Sequence, residues 1–203
     1  MKPKLIYSLL FLISLAGCKS RQVKLQTLAR IDTPPGTTKI SPNVYLDESE
    51  ISNFAYLEFV LWMKNVFGES SVEFKSVNPD STKWDKTSVW NLPYFSYCKH
   101  PAYKDLPVLN ISLVQARKYS KWRSDRVMEF LLIREGLIKH IPSSKIQKDS
   151  IFTIESYFTG KYRNISPHPN IKYYPDFEVF NANQDNSTLY GFRNVCVWKE
   201  WSR

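Results

Sequence analysis

Two stretches of the chain repeat apolar side chains with the period of an amphipathic helix. The first covers residues 51–68, "ISNFAYLEFVLWMKNVFG". Its apolar positions, which recur every three or four residues, are Phe54, Leu57, Phe59, Val60, Leu61 and Trp62. Ser52 or Asn53 can accept hydrogen bonds from the free amides of a first turn, and Gly68 suits a C-terminal cap. The pattern therefore predicts a helix that ends at Gly68.

The second stretch begins with an apolar run and continues with helical spacing. Pro107–Ile111 fits a short buried strand. Ser112 fits an N-cap, and Gln115 three residues later completes a Ser-x-x-Gln capping box. The apolar face of the helix consists of Ala116, Tyr119, Trp122, Val127, Phe130 and Leu131. We expect this helix to run to about Gly136, with three charges facing the solvent: Lys118, Lys121 and Arg123.

The remaining sequence predicts few strands and long loops. Residues 44–46 fit a short strand, and residues 195–198 alternate enough for a terminal strand. Residues 70–104 and 161–185 combine prolines or asparagines with scattered aromatic rings, which predicts irregular loops. Residues 151–160 fit either a strand or a short helix. The sequence thus predicts an α+β domain with two main helices and a small antiparallel sheet.

The N-terminus has the features of a lipoprotein signal. A basic start precedes the apolar run "LIYSLLFLISLAG", which is too short to span a membrane comfortably. Leu15, Ala16, Gly17 and Cys18 resemble the bacterial lipobox, where a signal peptidase cuts and leaves an acylated cysteine. We predict a lipoprotein signal peptide over residues 1–17 and lipidation at Cys18, whose acyl chains would hold the protein on a lipid bilayer. An ordinary signal peptide and a short anchor helix are the alternatives.

Charge and composition add a tether to this organisation. Residues 18–43 are polar and punctuated by Pro and Gly, which predicts a linker ahead of a folded domain over residues 44–203. The net charge is +9, and removal of Lys2 and Lys4 with the signal leaves +7. Basic side chains just after Cys18 suit an anionic lipid surface. No RNA- or DNA-binding motif accompanies them, so we expect no nucleic-acid partner.

Three separated stretches resemble the formylglycine-generating enzyme (sulfatase-modifying factor) superfamily. The first, at the family's "Glu-Val-Thr-Asn, then Tyr and Phe" segment, carries Glu50, Ile51, Ser52, Asn53, Tyr56 and Phe59. The second, at its "Pro-Val … Ser … Ala … Tyr … Trp" segment, carries Pro107, Val108, Ser112, Ala116, Tyr119 and Trp122. The third is the closing Gly-Phe-Arg: Gly191, Phe192 and Arg193.

The resemblance implies an irregular C-type-lectin-like fold, with two helices against a small twisted sheet. Within the superfamily, "WRSDRVMEFLLIREGLI" looks most like the gliding-motility lipoproteins GldJ and GldK, which are associated with type IX secretion. Those proteins are longer, so this chain resembles a reduced relative. The surface-export signal of lipoproteins in such bacteria is acidic, whereas "KSRQVK" is basic. A periplasm-facing anchor is therefore expected.

The chemistry of the active family is not evident in the sequence. Its members oxidise a substrate cysteine with a copper-binding thiolate pair that precedes the closing Gly-Phe-Arg, and residues 161–190 contain no cysteine. Cys98 and Cys196 lie elsewhere, and the place of the family's helix cysteine holds Ser120. A disulfide between Cys98 and Cys196, two inert thiols, or a new thiol or metal site all remain open.

Other candidate ligands are weaker still. The histidines do not show ligand spacing and are interpreted as loop residues: His100, His140 and His168. Asp125, Arg126 and Glu129 are interpreted as salt-bridge partners on a solvated helix face rather than as catalytic acids. The stretch "NANQDNS" at 181–187 is rich in oxygen ligands, so calcium binding stays an open alternative there, although a surface loop is the simpler interpretation. We predict no catalytic residue, cofactor or metal.

The leading hypothesis is a membrane-anchored, non-catalytic lipoprotein. Its formylglycine-generating-enzyme-like domain would be a scaffold for protein partners in an envelope assembly such as gliding or type IX secretion machinery. Trp84, Trp90 and Tyr94 are a candidate partner surface, although packing against the core is the alternative role for their rings. A divergent metal-dependent oxidase or sulfatase-modifying enzyme, and a lectin-like ligand-binding module, are the competing hypotheses.

Overall fold

The computed structural model of the chain describes residues 33–79, 81, 92–134, 136, 138–142, 145–159, 170–181 and 188–199. The strands in this part are β1 (Thr37–Ser41), β2 (Val44–Asp47), β3 (Asn170–Asn181) and β4 (Thr188–Lys199). The helices are α1 (Asn53–Phe67), α2 (Val72–Lys75), α3 (Tyr94–Lys99), α4 (Leu113–Arg134) and α5 (Ile154–Thr159), with single 3₁₀ turns at Pro101–Tyr103 and Lys148–Ser150. The mixture of helices and a small sheet confirms the predicted α+β class, and α1 and α4 are its two long helices.

The four strands form one antiparallel sheet in the order β1-β2-β4-β3. β3 and β4 pair along their entire length, whereas β2 pairs with β4 only through Val44–Leu46. The tight turn between β1 and β2 places Asn43 at a φ of 62°, a conformation that asparagine tolerates better than most side chains. The sheet is thus two hairpins joined by a short ladder between β2 and β4.

Local capping explains where the two long helices begin and where α1 ends. The Ser52 hydroxyl accepts a hydrogen bond from the Ala55 amide at 3.2 Å, so Ser52 is the N-cap of α1. Gly68 ends that helix at a φ of 87°. At α4, the Gln115 amide donates to the Ser112 hydroxyl at 3.2 Å, and the Ser112 amide donates to the Gln115 side-chain oxygen at 2.8 Å. The predicted capping box is confirmed.

Aromatic rings fill the core where α1, α4 and β4 meet. Tyr119 of α4 stacks on Tyr56 of α1 with ring centroids 5.7 Å apart and meets Phe192 of β4 edge-on at 5.6 Å. Phe59 completes this cluster. Edge-to-face and offset pairs of this kind stabilise a core beyond the area that they bury. The Tyr56 hydroxyl stays satisfied because it donates to the Val77 carbonyl oxygen at 2.8 Å.

Two predicted helix faces are partly wrong. Phe54 and Leu61 on α1 are 53% and 48% exposed, and Phe130 on α4 is 53% exposed. The predicted burial of Phe59 and Val60 is confirmed, and the third buried apolar side chain of α1 is Tyr56, which the predicted face did not include. Because α1 carries apolar residues around most of its circumference, the period alone does not decide which stripe is buried.

The prediction of a strand at Pro107–Ile111 is also wrong. Only an isolated bridge joins Pro107 to Ser52, and Asn110 has a φ of 59° that breaks an extended course. The Val108 amide nevertheless donates to the Ile51 carbonyl oxygen at 2.8 Å. The apolar run is buried, but burial of a short run does not by itself distinguish a strand from irregular backbone.

Three segments that were predicted to be irregular contain regular structure. β1 lies inside the predicted tether 18–43, α2 and α3 lie inside the predicted loop 70–104, and β3 lies inside the predicted loop 161–185. The side chains of β1 after Thr37 are exposed, so β1 has no buried apolar face that a sequence pattern could reveal. Its hydrogen bonds to β2 stabilise it as a strand. β3 includes Pro175, which edge strands accept. In the ambiguous segment 151–160, Ile154–Thr159 form α5.

Several predictions fall outside the described residues. These are the signal peptide with Cys18, most of the tether, Trp84, Trp90, His168 and residues 182–187 of the "NANQDNS" run. In the part of the chain that is described, no helix has both the length and the apolar character that crossing a bilayer requires.

Candidate functional site

Cys196 lies at the centre of the sheet. Its side chain is completely buried on β4, where its register neighbours are Tyr45 on β2 and Tyr173 on β3. Burial raises the pKa of Cys196 to about 12, although the positive charge of Arg123 opposes the shift. The thiol is therefore protonated at neutral pH, and a protonated thiol is a poor nucleophile and a poor metal ligand.

Cys98 has a different environment. It lies on α3, half-buried, against a small cluster formed by Tyr97 and Leu109. Burial raises the pKa of Cys98 to about 11, and a hydrogen bond with Tyr94 offsets part of that shift. Cys98 is thus also a neutral thiol, but it is more accessible than Cys196.

The two thiols are not joined by a disulfide, because both cysteines are free in the structure. One belongs to the sheet and the other to the packing of α3. Of the alternatives left open by the sequence, this arrangement agrees with two inert thiols.

The described histidines are not arranged around a common point. The His100 Nδ1 accepts a hydrogen bond from the Ala102 amide at 3.1 Å, which starts the 3₁₀ turn at Pro101. His140 is exposed in the connection after α4. Among the residues that the structure describes, no group of three or more His, Cys, Asp or Glu side chains could hold a metal ion.

A buried polar cluster connects β2, α4 and β4. One Asp47 oxygen, Oδ2, accepts hydrogen bonds from Arg123 Nη1 at 2.8 Å, from the Asn194 amide at 2.8 Å and from Asn194 Nδ2 at 3.2 Å. The Arg123 guanidinium also lies 4.3 Å from the centre of the Tyr173 ring and donates to the Pro35 carbonyl oxygen at 3.0 Å. The prediction that Arg123 faces the solvent is therefore wrong, because its guanidinium neutralises a buried carboxylate.

Ser120, at the place of the family's helix cysteine, belongs to the same cluster. Its hydroxyl lies within hydrogen-bond distance of Asn194 Oδ1 and of the Ala116 carbonyl oxygen. One turn later, the Ser124 hydroxyl accepts a hydrogen bond from the Tyr173 amide at 2.9 Å. α4 therefore presents small hydroxyl side chains to the sheet, and these bonds hold the helix against β3 and β4.

The acidic residues of α4 also have structural partners. Arg126 Nη1 pairs with Glu129 at 2.6 Å, and its other terminal nitrogen donates to the Phe152 carbonyl oxygen. Asp125 accepts from the Ile154 amide at 2.9 Å at the start of α5. These side chains were predicted to lie on a solvated face, but Asp125 is buried and the other two are mostly buried. They fix α5 against α4, and burial raises the pKa of Glu129.

An apolar groove of about 370 Å³ runs along α1 between α2 and α3. Its lining comprises Asn53, Tyr56, Leu57, Val60, Leu61, Lys64, Glu69, Phe74, Asn78, Pro79, Ser81, Tyr94, Phe95, Cys98, Lys99 and Val108. Tyr94 is half-buried here rather than displayed on an open surface, and its hydroxyl donates to the Leu109 carbonyl oxygen at 3.4 Å. Of the residues predicted to form a partner surface, Tyr94 is the one that the structure describes.

Comparison with protein-family models, with curated proteins and with solved structures gives no match to this chain. The functional assignment therefore rests on the residues themselves.

Sequence reasoning missed the residues on which the interior depends most. Asp47 and Arg123 were not paired, because 76 residues separate them, and Asn194 is 147 residues from Asp47. Asn53 was considered as an alternative cap and as part of the first resembling stretch, but neither interpretation predicted that its side chain crosses to the carbonyl oxygens of Tyr97 and Tyr103. No local pattern marks such long-range partners.

Proposed function

We propose that this protein is a membrane-anchored lipoprotein whose folded part is a non-catalytic, formylglycine-generating-enzyme-like scaffold in an envelope assembly. The anchor would be acylated Cys18 in the lipid bilayer, facing the periplasm. The partners would be envelope proteins of a gliding or type IX secretion machinery. The specific C-type-lectin-like fold is part of the same proposal.

The observation that carries the proposal is the meeting of the three resembling stretches at the start of α1. The Ile51 amide donates to the Phe192 carbonyl oxygen at 2.8 Å, which joins the first stretch to the third. The Val108 amide donates to the Ile51 carbonyl oxygen at 2.8 Å, which joins the first to the second. Segments that are far apart in sequence and belong to one family pattern are expected to converge in space, so this convergence supports the assignment.

The state of the two thiols supports the non-catalytic part. Copper oxidase chemistry requires thiolates as soft ligands. Cys98 and Cys196 are free and lie on different elements, and burial raises the pKa of both. Ser120 holds α4 to the sheet through Asn194, which gives that position a structural role.

The anchor is tested by following acylation in a bacterial host that processes lipoproteins. The full chain is labelled with an alkyne analogue of palmitate, alongside Cys18→Ser and, as the matched control, Cys98→Ser. We expect Cys18→Ser to lose the label and to leave the membrane fraction after a salt wash, while Cys98→Ser keeps both. Label that persists in Cys18→Ser would refute the lipid anchor.

The scaffold role is tested by metal analysis and by cross-linking. The full chain, purified in detergent without chelators, should contain less than about a tenth of a copper or iron atom per chain. Cross-linking in cells of the organism that makes the protein should join the wild-type chain to secretion or gliding proteins of the envelope. Cys18→Ser should not give those cross-linked products. Copper or iron near one per chain, lost in Cys98→Ser or Cys196→Ser, would contradict the non-catalytic scaffold and favour the metal-dependent oxidase.

A further inference from the structure

The first turns of α4 present a face that combines cations with apolar side chains. Arg117, Lys118 and Lys121 are exposed there. Beside them, Leu113 is 45% exposed and Val114 is 60% exposed. These positions lie within about 140° of the helix circumference, because each residue of an α-helix is rotated by about 100° from the one before it. Residues 113–121 contain no acidic side chain, so this face carries positive charge alone.

The short helix α2 extends this face. Lys118 Nζ donates to the Ser76 hydroxyl at 2.7 Å, directly after the end of α2. The Ser76 amide donates to the Val72 carbonyl oxygen at 2.9 Å, so Val72 lies one turn earlier on the same side of α2. Val72 is 79% exposed, and Lys75 is exposed as well. The surface shared by α2 and α4, called the cationic face below, consists of Val72, Lys75, Leu113, Val114, Arg117, Lys118 and Lys121.

The acidic side chains beside the cationic face are already neutralised. Glu73 Oε1 lies 3.0 Å from the ammonium of Lys148. Asp125 Oδ2 lies 3.2 Å from the ammonium of Lys121. Among the residues that the structure describes, no carboxylate lies within 4 Å of the remaining cations of the face, which are Lys75, Arg117 and Lys118. The face therefore has an excess of positive charge that no group described in the protein balances.

The combination of side chains on the cationic face favours a lipid surface over a soluble acidic partner. Lysine and arginine reach anionic headgroups with their charged ends while their stems lie along apolar material. Exposed aliphatic side chains such as Val72 and Val114 can enter the boundary between headgroups and acyl chains. An acidic peptide would meet the charges alone, whereas an anionic bilayer meets both kinds of side chain.

We propose that the cationic face binds the surface of an anionic lipid bilayer, with Lys75, Arg117 and Lys118 at the headgroups and Val114 beside them. The proposal rests on the proposed lipid anchor, since acylated Cys18 would keep the face within reach of a membrane. It adds a second contact that depends on lipid charge, whereas acyl chains insert into neutral and anionic bilayers alike. The two contacts can therefore be tested separately.

The test uses the full chain, purified in detergent from a host that acylates it. The chain is reconstituted into vesicles of phosphatidylcholine, with or without phosphatidylglycerol. An environment-sensitive fluorophore is attached to Val114→Cys in a Cys98→Ser background, since Cys196 is completely buried and acylation would block Cys18. We expect the emission at position 114 to rise and to move to shorter wavelength in the anionic vesicles alone.

A fluorophore on Phe130→Cys, in the same background, is the matched control. Phe130 is 53% exposed and belongs to the same helix. It lies about 24 Å along the helix axis from Val114, at a rise of about 1.5 Å per residue. Its emission should be the same in neutral and in anionic vesicles.

Two double variants locate the lipid contact. Lys75→Gln with Arg117→Gln removes two cations from the face without breaking a described ion pair. Lys39→Gln with Lys139→Gln removes the same charge from exposed positions on β1 and after α4. The emission at position 114 gives the ratio of docked to undocked chains. The first pair should lower this ratio about 25-fold, at about fivefold for each cation near an anionic surface. The second pair should change it less than about twofold, because salt screens distant charges.

The proposal fails on any of four results. Three are an unchanged emission at position 114 in anionic vesicles, an equal change at position 130, and equal losses in the two double variants. The fourth is a response to polyglutamate in solution as large as the response to anionic vesicles, which would assign the face to an acidic protein segment. Failure of the anchor is seen instead in the acylation assay, and the response to anionic vesicles still decides the role of the face in that case.

Discussion

Replacing Arg123 with methionine should cost the protein about 3 kcal/mol of its free energy of unfolding. The Asp47 side chain is 2% exposed and that of Arg123 is 16% exposed, so the substitution leaves a carboxylate in the interior without its cation. Removing one partner of a buried pair costs about 3–5 kcal/mol. The low end applies because Asn194 still donates two hydrogen bonds to Asp47 and because methionine keeps most of the apolar stem.

The assay is urea unfolding followed by tryptophan fluorescence, which the six tryptophans of the chain provide. The midpoint should fall while the slope with urea stays constant. For a domain of this size, the same loss corresponds to a melting temperature about 6–12 °C lower. Arg117→Met is the matched control, because Arg117 is an exposed residue of the same helix and its loss should change stability by at most about 0.5 kcal/mol.

A double substitution separates the ion pair from general packing. Asp47→Asn combined with Arg123→Met removes both charges. The double variant should therefore lose less free energy of unfolding than the sum of the losses in the two single variants. If Arg123→Met lies within about 1 kcal/mol of Arg117→Met, the buried ion pair does not stabilise this fold and the argument fails.

Three further changes test the caps and the thiols. Ser112→Ala should lower the free energy of unfolding, measured in urea, by about 1 kcal/mol, because it removes the N-cap of α4. Ser70→Ala, on the exposed surface, is the control and should leave the free energy of unfolding unchanged. Equal values for the two variants would contradict the capping argument. Gly68→Ala should lower the free energy of unfolding by about 1–3 kcal/mol in the same assay, because alanine is strained at a φ of 87°. Steric clash does not contribute, since nothing lies within 4 Å of the added Cβ. An unchanged urea midpoint would refute backbone strain at this position. The pKa values of Cys98 and Cys196, about 11 and about 12, exceed the ordinary value near 9, so the unfolded chain releases these protons first. This contribution to stability is complete below about pH 9 and is lost as the pH rises towards 12. In urea unfolding at a series of pH values, Cys196→Ala should make the fall in the free energy of unfolding with pH shallower. An identical fall in the variant and the wild type would contradict the raised pKa of Cys196.

The helices could be predicted because their signals are local. Ser52, Ser112 and Gln115 cap helices through side chains that lie within three residues of the amides that they contact. The choice of buried face could not be predicted as well, since Phe54 and Tyr56 fit the period of α1 equally and only the packing of α4 and β4 favours Tyr56. Local chemistry thus gave the ends of the helices, and tertiary contacts determined their orientation.

Strands and site residues were harder to predict because their partners are distant. β3 forms by pairing with β4 over twelve residues, although its sequence has a proline in the middle and an asparagine at each end, which are residues typical of loops. The Asp47 and Arg123 pair and the Asn53 amide depend on contacts that span at least 44 residues. For the candidate thiol site, the sequence supplied the two cysteines and the alternative of two free, inert thiols, but not the elements that place them, which are α3 for Cys98 and the middle of the sheet for Cys196.

The position of β4 between β2 and β3 has a consequence for the order of folding. β4 begins at Thr188, so the middle of the sheet is made from a segment that follows β1, β2 and β3 along the chain. Until it arrives, β2 and β3 have no common neighbour, Asp47 lacks Asn194, and the aromatic cluster lacks Phe192. Contacts of such long sequence separation form slowly because the loops that they close are entropically costly. The sheet therefore cannot be completed until β4 has joined β2 and β3, which makes its assembly a late step in folding.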